Sequence, residues 1–203
     1  MKVLLDTHCL IWALTDAPEL GDSGRAVILA AEGVWFSEAS IWEIGLKWRK
    51  GKINLQPRRI LDLGTGSGIL AMAAAKLLRR PVLATDIEPW SIKVTRRNAD
   101  MNRVGKMVRP KLADGWRHPA VRHGGPYDLV FGNILARPLC AMAKDLAANL
   151  KPGGTAILAG LLATQARMVL AAHRRNGLRL EKMLPQGPWT TLVVRKSARR
   201  QAP

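Results

Sequence analysis

Three glycines and one acid are the residues of this 203-residue chain whose types and spacing point most directly to chemistry. Gly64, Gly66 and Gly68 follow an apolar run at 60–63, and Asp86 ends a second apolar run, 18 residues after Gly68. Glycine has no Cβ, so the main chain can approach a ligand closely, and a carboxylate at about this spacing accepts hydrogen bonds from ribose hydroxyls. The pattern predicts a nucleotide-binding strand–loop–helix–strand unit. The alternative is a set of glycines that only make a tight turn.

Two further polar residues follow predicted strands. Asp114 lies in Leu112-Ala113-Asp114-Gly115, and Asn133 follows the apolar run at 127–132. The carboxyl ends of parallel strands meet at one edge of an open α/β sheet, where ligands bind. Asp114-Gly115 could instead form only a turn, and Asn133 could cap the helix that follows it.

A regular alternation of strands and helices downstream of Pro57 positions these residues. Runs at 178–184 and 189–195 near the end of the chain flank a Pro-Gln-Gly-Pro turn and predict an antiparallel hairpin. The fold class predicted is α/β, Rossmann-like, with a mostly parallel seven-stranded sheet that ends in this hairpin. The other strands are predicted at 59–64, 81–86, 107–112, 127–132 and 154–160, and the helices at 67–79, 89–102, 136–150 and 163–176.

The charge distribution divides the chain near Pro57. Residues 1–56 hold 6 basic and 7 acidic residues, a net charge of −1, whereas residues 57–203 hold the other 26 basic and 8 acidic residues, a net charge of +18. Such a charge favours RNA or a ribonucleoprotein surface as a partner; the alternative is an arginine-rich but ordinary enzyme surface. We predict a small α/β fragment over 1–56, a main domain over 57–198 and a basic disordered tail over 199–203.

Composition argues against several classes of protein. Apolar residues make up 48% of the chain, enough for a substantial core. The sequence has neither an apolar run long enough to span a membrane nor a signal peptide, so we expect a cytoplasmic protein. Two widely separated cysteines favour neither a disulfide framework nor a zinc site. We expect His118, His123 and His173 on the surface because they lack ligand spacing, and Trp116 and Trp189 as packing groups.

An ordered set of motifs resembles the class I S-adenosylmethionine-dependent methyltransferases. It lies within residues 58–197 and comprises DLGTGSG at 62–68, ATDIEPWSI at 84–92, ADG at 113–115, FGNILARPL at 131–139 and LKPGG at 150–154. Longer stretches around these motifs are similar to the PrmA family, which methylates a ribosomal protein. The resemblance implies this fold, S-adenosylmethionine as cofactor, and a ribosomal protein or ribonucleoprotein as partner. Residues 1–56 stand where that family has a separate substrate-binding domain.

The resemblance also implies roles for individual residues. Asp86 would accept both ribose hydroxyls, Asp114 would accept from the adenine amino group, and Asp62 would orient the amino end of the methionyl part. Asn133 is the implied catalytic residue, with its side-chain carbonyl directed at the acceptor nitrogen. A protein that binds the cofactor without turnover is the alternative. The implied cofactor-binding residues are Asp62, Gly64, Thr65, Gly66, Gly68, Asp86, Ile87, Asp114 and Asn133.

Residues 1–56 resemble a different family. LLDTHCLIWAL at 4–14 and SEASIWEIGLKWRKGKINL at 37–55 are similar to the beginning of VapC-type PIN-domain ribonuclease toxins, in truncated form. Those nucleases gather acids around Mg²⁺ or Mn²⁺, and Asp6 and Glu43 match the first two acids. Two carboxylates hold Mg²⁺ poorly without substrate phosphates, so no metal site is predicted. A metal-dependent ribonuclease at these two acids is the alternative function, and the chain as a whole resembles a chimera.

Overall fold

The structure, a computed structural model, describes residues 2–5, 21–29, 33–36 and 57–198. The chain divides into two compact units, one over Met1–Leu55 with Gln186–Pro188 and the other over Gln56–Pro185 with Trp189–Pro203. Asp6, Glu43 and the predicted tail at 199–203 lie outside the described residues.

The smaller unit contains three described elements. Strand β1 spans Lys2–Leu5, helix α1 spans Gly21–Leu29 and strand β2 spans Gly33–Phe36. The two strands pair in parallel, with Lys2 opposite Gly33. A parallel pair separated by a helix is a general α/β arrangement, so it does not by itself identify a PIN domain.

The larger unit is built on a seven-stranded sheet, and the predicted fold class is confirmed. The strands are β3 (Ile60–Leu63), β4 (Val82–Asp86), β5 (Val108–Leu112), β6 (Tyr127–Asn133), β7 (Leu150–Leu162), β8 (Leu178–Gln186) and β9 (Trp189–Lys196). Their order in the sheet is β5-β4-β3-β6-β7-β9-β8, with parallel pairing from β5 to β7 and antiparallel pairing between β7 and β9.

The helices of this unit differ from the prediction in two places. The predicted helix at 136–150 is divided at Met142, but hydrogen bonds from the Met142 amide to the Pro138 carbonyl (3.0 Å) and from the Leu146 amide to the Met142 carbonyl (2.9 Å) continue through the division. The short α4 was not predicted. The helices are α2 (Ile69–Leu78), α3 (Pro89–Met101), α4 (Pro119–Gly124), α5 (Ala136–Ala141), α6 (Ala143–Asn149) and α7 (Ala166–Arg175).

The core lies on both faces of the sheet. Successive strand residues point to opposite faces, and Ile60 and Leu61 accordingly belong to two different hydrophobic clusters. The cluster around Ile60 is shared with α2 and α3, and the cluster around Leu61 with α5, α6 and α7. All four residues of β3 are buried, which explains why its sequence is a continuous apolar run broken only by Asp62. Among the described residues, no helix is long and apolar enough to cross a membrane.

Candidate functional site

An open crevice of about 820 Å³ lies at the carboxyl ends of β3, β4, β5 and β6. These ends are level, because Leu63 pairs with Thr85 on one side and with Gly132 on the other. The crevice is where open parallel sheets bind ligands. Five of the residues predicted to bind a cofactor line it, and these are Gly64, Asp86, Ile87, Asp114 and Asn133.

The loop between β3 and α2 is held by contacts that demand glycine. Gly64 has φ +72°, and a Cβ there would collide with the side chain of Ile134. Gly66 has φ +55°, yet nothing lies within 4 Å of the position that its Cβ would occupy. Backbone geometry therefore explains Gly64 as a packing requirement. Gly66 has open space beside it and bonds to the crevice residue Asp86, but neither Gly66 nor Gly68 lines the crevice itself.

Asp62 and Thr65 hold this loop from beneath. Asp62 is 1% exposed, and its Oδ2 accepts hydrogen bonds from the Thr65 hydroxyl at 2.6 Å and the Ala71 amide at 3.1 Å. Neither residue belongs to the crevice lining. The Oδ2 atom of Asp62 thus fixes the loop to the first turn of α2, and the contact of Asp62 with the amino end of a cofactor stays a prediction.

Asp86 joins the loop to the end of β4. Its Oδ2 accepts from the Gly66 amide at 2.9 Å, and its Oδ1 accepts from the Glu88 amide at 3.0 Å. The Thr85 carbonyl accepts from the Gly64 amide at 2.8 Å, which adds a second tie. A carboxylate has about four lone-pair sites, so each Asp86 oxygen can accept a further hydrogen bond from a ligand hydroxyl.

Asp114 lies at the rim of the crevice, where its Oδ2 pairs with Arg117 Nη1 at 3.1 Å. Both side chains are mostly exposed, so the pair is weak and can give way to a ligand. Asp114 precedes a 3-10 turn over Gly115–Arg117 and makes no side-chain cap, which leaves the carboxylate accessible.

Trp116 in that turn lines the crevice, whereas the sequence predicted only a packing role for it. Its ring packs edge-on against Tyr127, with centroids 6.1 Å apart, which agrees with the predicted packing role. The side chain also lines the crevice, and its buried Nε1 donor has no hydrogen-bond partner within the described part of the chain. Because the nitrogen itself is inaccessible, the contribution of Trp116 to the crevice is apolar.

Asn133 ends β6 at the crevice and is exposed. The residue that caps the following helix is Leu135, so the alternative role of Asn133 as a helix cap is wrong. Gly160, at an irregularity in β7, has φ +73°, and a Cβ there would lie 2.9 Å from Asn133 Oδ1. The absence of a side chain at Gly160 therefore leaves room for the side chain of Asn133. A glycine inside a predicted strand is the sequence signal that could have found it.

His173 corrects one expectation. It is fully buried on α7, where its Nδ1 is 2.8 Å from the Val169 carbonyl, and desolvation lowers the pKa of its imidazole below the usual 6.5 despite that hydrogen bond. His118 instead caps α4 by accepting from the Ala120 amide at 3.1 Å. Within residues 57–198 and the three short described segments, no cluster of three metal-ligating side chains occurs.

Comparisons with known proteins agree with this architecture. The family model of ribosomal protein L11 methyltransferase (PrmA) matches residues 44–197. The ribosomal protein L11 methyltransferase of Bradyrhizobium diazoefficiens is 48% identical over 141 residues, which are 70% of this chain and 48% of that protein. The corresponding protein of Chelativorans sp. is 44% identical over 140 residues, with 69% and 48% coverage. The chain thus spans about half the length of the curated relatives it matches.

Solved structures of other proteins resemble this chain in fold. The ribosomal protein L11 methylase of Lactobacillus delbrueckii subsp. bulgaricus superposes with a TM-score of 0.67 at 29% identity, covering 78% of this chain and 79% of that chain. An RNA methyltransferase from Salinibacter ruber, solved with S-adenosyl-L-homocysteine, has a TM-score of 0.55 at 17% identity, covers 71% of this chain and 82% of that chain, and shows the fold alone.

The family match begins inside the segment predicted to be PIN-like, and the comparisons give no support to that resemblance. The crevice, its glycine loop and the ordered strand ends all lie within residues 44–197. The chain belongs to the ribosomal protein L11 methyltransferase (PrmA) family.

Proposed function

We propose that this chain binds S-adenosylmethionine in the crevice and transfers its methyl group to amino groups of a ribosomal protein. The observation that carries the proposal is the 2.9 Å hydrogen bond from the Gly66 amide to the Asp86 carboxylate. It brings bare main chain and an acid suited to ribose hydroxyls together at the end of two parallel strands. Family membership supports the reaction class and the acceptor.

The residues of the crevice fit this cofactor in polarity as well as in position. Asp86 would accept from the ribose hydroxyls and Asp114 from the adenine amino group. The amino terminus of α2, next to Ser67, would attract the methionyl carboxylate, because the amino terminus of a helix attracts anions; its Ala71 amide already donates to Asp62.

Asn133 would position the methyl acceptor. The bound cofactor supplies a methyl group on a sulfonium, which is already activated for attack. The remaining task is to hold a neutral amine in line with it, and positioning of this kind accounts for much of catalysis. The exposed side-chain carbonyl of Asn133 can accept a hydrogen bond from such an amine and direct its lone pair, so no strong general base is needed.

Turnover separates this proposal from the alternative of cofactor binding alone. Production of S-adenosylhomocysteine would be measured with a bacterial ribosomal protein extract, for the wild-type chain and for Asn133→Ala. We expect product from the wild type and a rate lower by about tenfold or more in the variant, with cofactor affinity nearly unchanged, because Asn133 acts through alignment. A wild-type chain that binds the cofactor but forms no product would reject methyl transfer.

Four parts of this proposal rest on the sequence or on family membership. The acceptor rests on family membership, because the chain spans only about half of its curated relatives. The boundary at Pro57 and the cytoplasmic location rest on charge and composition. RNA contact rests on the basic charge of residues 57–203.

A further inference from the structure

A strongly basic surface of the larger unit lies on α3, the outermost strand β5 and the turn between them. We call it the basic edge and define it by seven exposed residues. Residues 89–112 contain these seven basic residues and one acid, Asp100, so the local charge is strongly positive. The basic edge comprises Lys93, Arg96, Arg97, Arg103, Lys106, Arg109 and Lys111.

Little in the described part of the chain neutralises this surface. The ion pairs between described residues lie elsewhere and involve Arg117, Lys151 and Arg195. The carboxylate of Asp100 is turned over Gly105, where it occupies the place that a Cβ would take. The positive potential of the basic edge is therefore directed to solvent and attracts anionic partners.

An exposed aromatic residue accompanies the positive charge. Trp90 is 72% exposed at the start of α3, and Lys93, Arg97 and Met101 follow it at helical spacing of three or four residues. Residues at this spacing share one face of a helix. Lys93, Arg97 and Met101 also line a shallow groove of about 410 Å³, together with Arg96 and Asp100, so three cations and one acid face it. An aromatic platform beside a cationic groove is the usual surface for single-stranded nucleic acid, because bases stack and phosphates pair with cations.

The surface also extends away from the crevice. Lys76 near the end of α2 donates to the Asn102 side chain at 3.1 Å, which places the ends of α2 and α3 together. Arg79 and Arg80 follow Lys76 and are exposed. At the other end, Trp90 comes two residues after Glu88, which lines the crevice. A bound strand would therefore run from the crevice rim along the outermost strand of the sheet.

We propose that the basic edge binds single-stranded RNA, with a base stacked on Trp90 and the backbone along the cations of α3 and β5. The choice of RNA over DNA rests on the proposed function, because a ribosomal protein substrate is met beside ribosomal RNA. The surface would hold the RNA next to the crevice in which the protein acceptor is methylated. An acidic protein is the competing occupant, and it lacks stacked bases for Trp90.

Binding of a fluorescein-labelled uridine oligonucleotide, followed by anisotropy at several salt concentrations, tests this assignment. The triple variant Lys93→Gln/Arg96→Gln/Arg97→Gln should bind about tenfold more weakly, and the slope of log K against log salt should shrink by about 2. Trp90→Ala should weaken binding by about fivefold or more. The matched control, Arg167→Gln/Arg174→Gln/Arg175→Gln, removes the same charge from exposed positions on α7 and should change binding by less than about threefold.

Several results would overturn the proposal. They are an equal loss in the α7 control, no effect of Trp90→Ala, competition by poly-L-glutamate as strong as by RNA, or DNA of the same sequence binding as tightly as RNA. Cofactor binding by the basic-edge variants should equal that of the wild type, which shows that they are folded. A negative result in the RNA-binding measurement would thus leave the proposal of methyl transfer intact. If no methyl transfer is found, RNA binding can still be measured.

Discussion

The two ends of the central sheet differ in how many hydrogen-bond partners the protein gives to their polar side chains. At the amino end, Asp128 accepts from the amides of Arg58 and Arg59, each at 3.0 Å, and from Lys151 Nζ at 3.1 Å. Burial alone would raise the pKa of this carboxyl, but the hydrogen bonds from Arg59, Lys151 and Arg58 outweigh it and lower the pKa. Lys196 Nζ similarly donates to the Leu150 carbonyl at 2.8 Å. This end is closed by partners from the protein itself.

At the carboxyl end the polar side chains have fewer hydrogen-bond partners from the protein. Asp86 takes one backbone amide on each oxygen, Asp114 takes only an exposed arginine, and Asn133 faces the crevice. The comparison teaches that one sheet can use similar acids for two purposes. An acid with three partners from the protein, as Asp128 has, fixes the fold, and acids with fewer partners keep acceptor capacity for a ligand. Substitutions at the two ends should therefore separate stability from binding.

Asp128→Ala should have the largest effect on stability. The change removes a carboxylate that accepts two amides and a lysine, so we expect the free energy of unfolding to fall by about 2 kcal/mol. Urea denaturation would measure it. Asp86→Ala, the matched carboxylate at the open end, should cost clearly less, and a larger loss for Asp86→Ala would contradict the division between the two ends.

Gly160→Ala should have the next largest effect and should act on both stability and turnover. A Cβ at Gly160 would lie 2.9 Å from Asn133 Oδ1, and the residue has φ +73°. We expect a loss of about 1–2 kcal/mol in unfolding free energy and a lower kcat, with little change in cofactor affinity.

Gly153→Ala is the control for that variant. Gly153 lies in the same strand with φ +78°, and nothing is within 4 Å of its Cβ position. It should share the backbone strain but leave kcat unchanged. Equal kcat values for the two variants would show that Gly160 does not position Asn133.

His173 should give the smallest effect, and only at acid pH. Because its folded-state pKa lies below 6.5, the unfolded chain binds more protons than the folded chain as pH falls below that value. The stability contribution is present above pH 6.5 and is lost below it, by no more than about 1.4 kcal/mol per pH unit. Unfolding free energies measured between pH 5 and 7.5 should fall less steeply with acidification in His173→Gln. An identical pH dependence would contradict the burial of a neutral imidazole.

Much of this architecture could be predicted because its signals are local. Buried parallel strands are continuous apolar runs, and polar residues at their carboxyl ends must share one edge, which located Asp86, Asp114 and Asn133. Gly160 was missed because its partner lies across a strand pair with an irregular register. His173 was misassigned because only its lack of ligand spacing was considered, although its spacing from Ala166, Val169 and Leu170 places it on the buried face of α7.

Calorimetric titration of S-adenosylmethionine into wild-type protein, Asp86→Ala and Asp128→Ala tests the central claim most directly. At a temperature where all three are folded, the wild type and Asp128→Ala should bind with the same affinity. Asp86→Ala should lose about 100-fold or more, because two charge-assisted hydrogen bonds to the ligand disappear. Equal affinities for the wild type and Asp86→Ala would contradict the assignment of the crevice as the cofactor site.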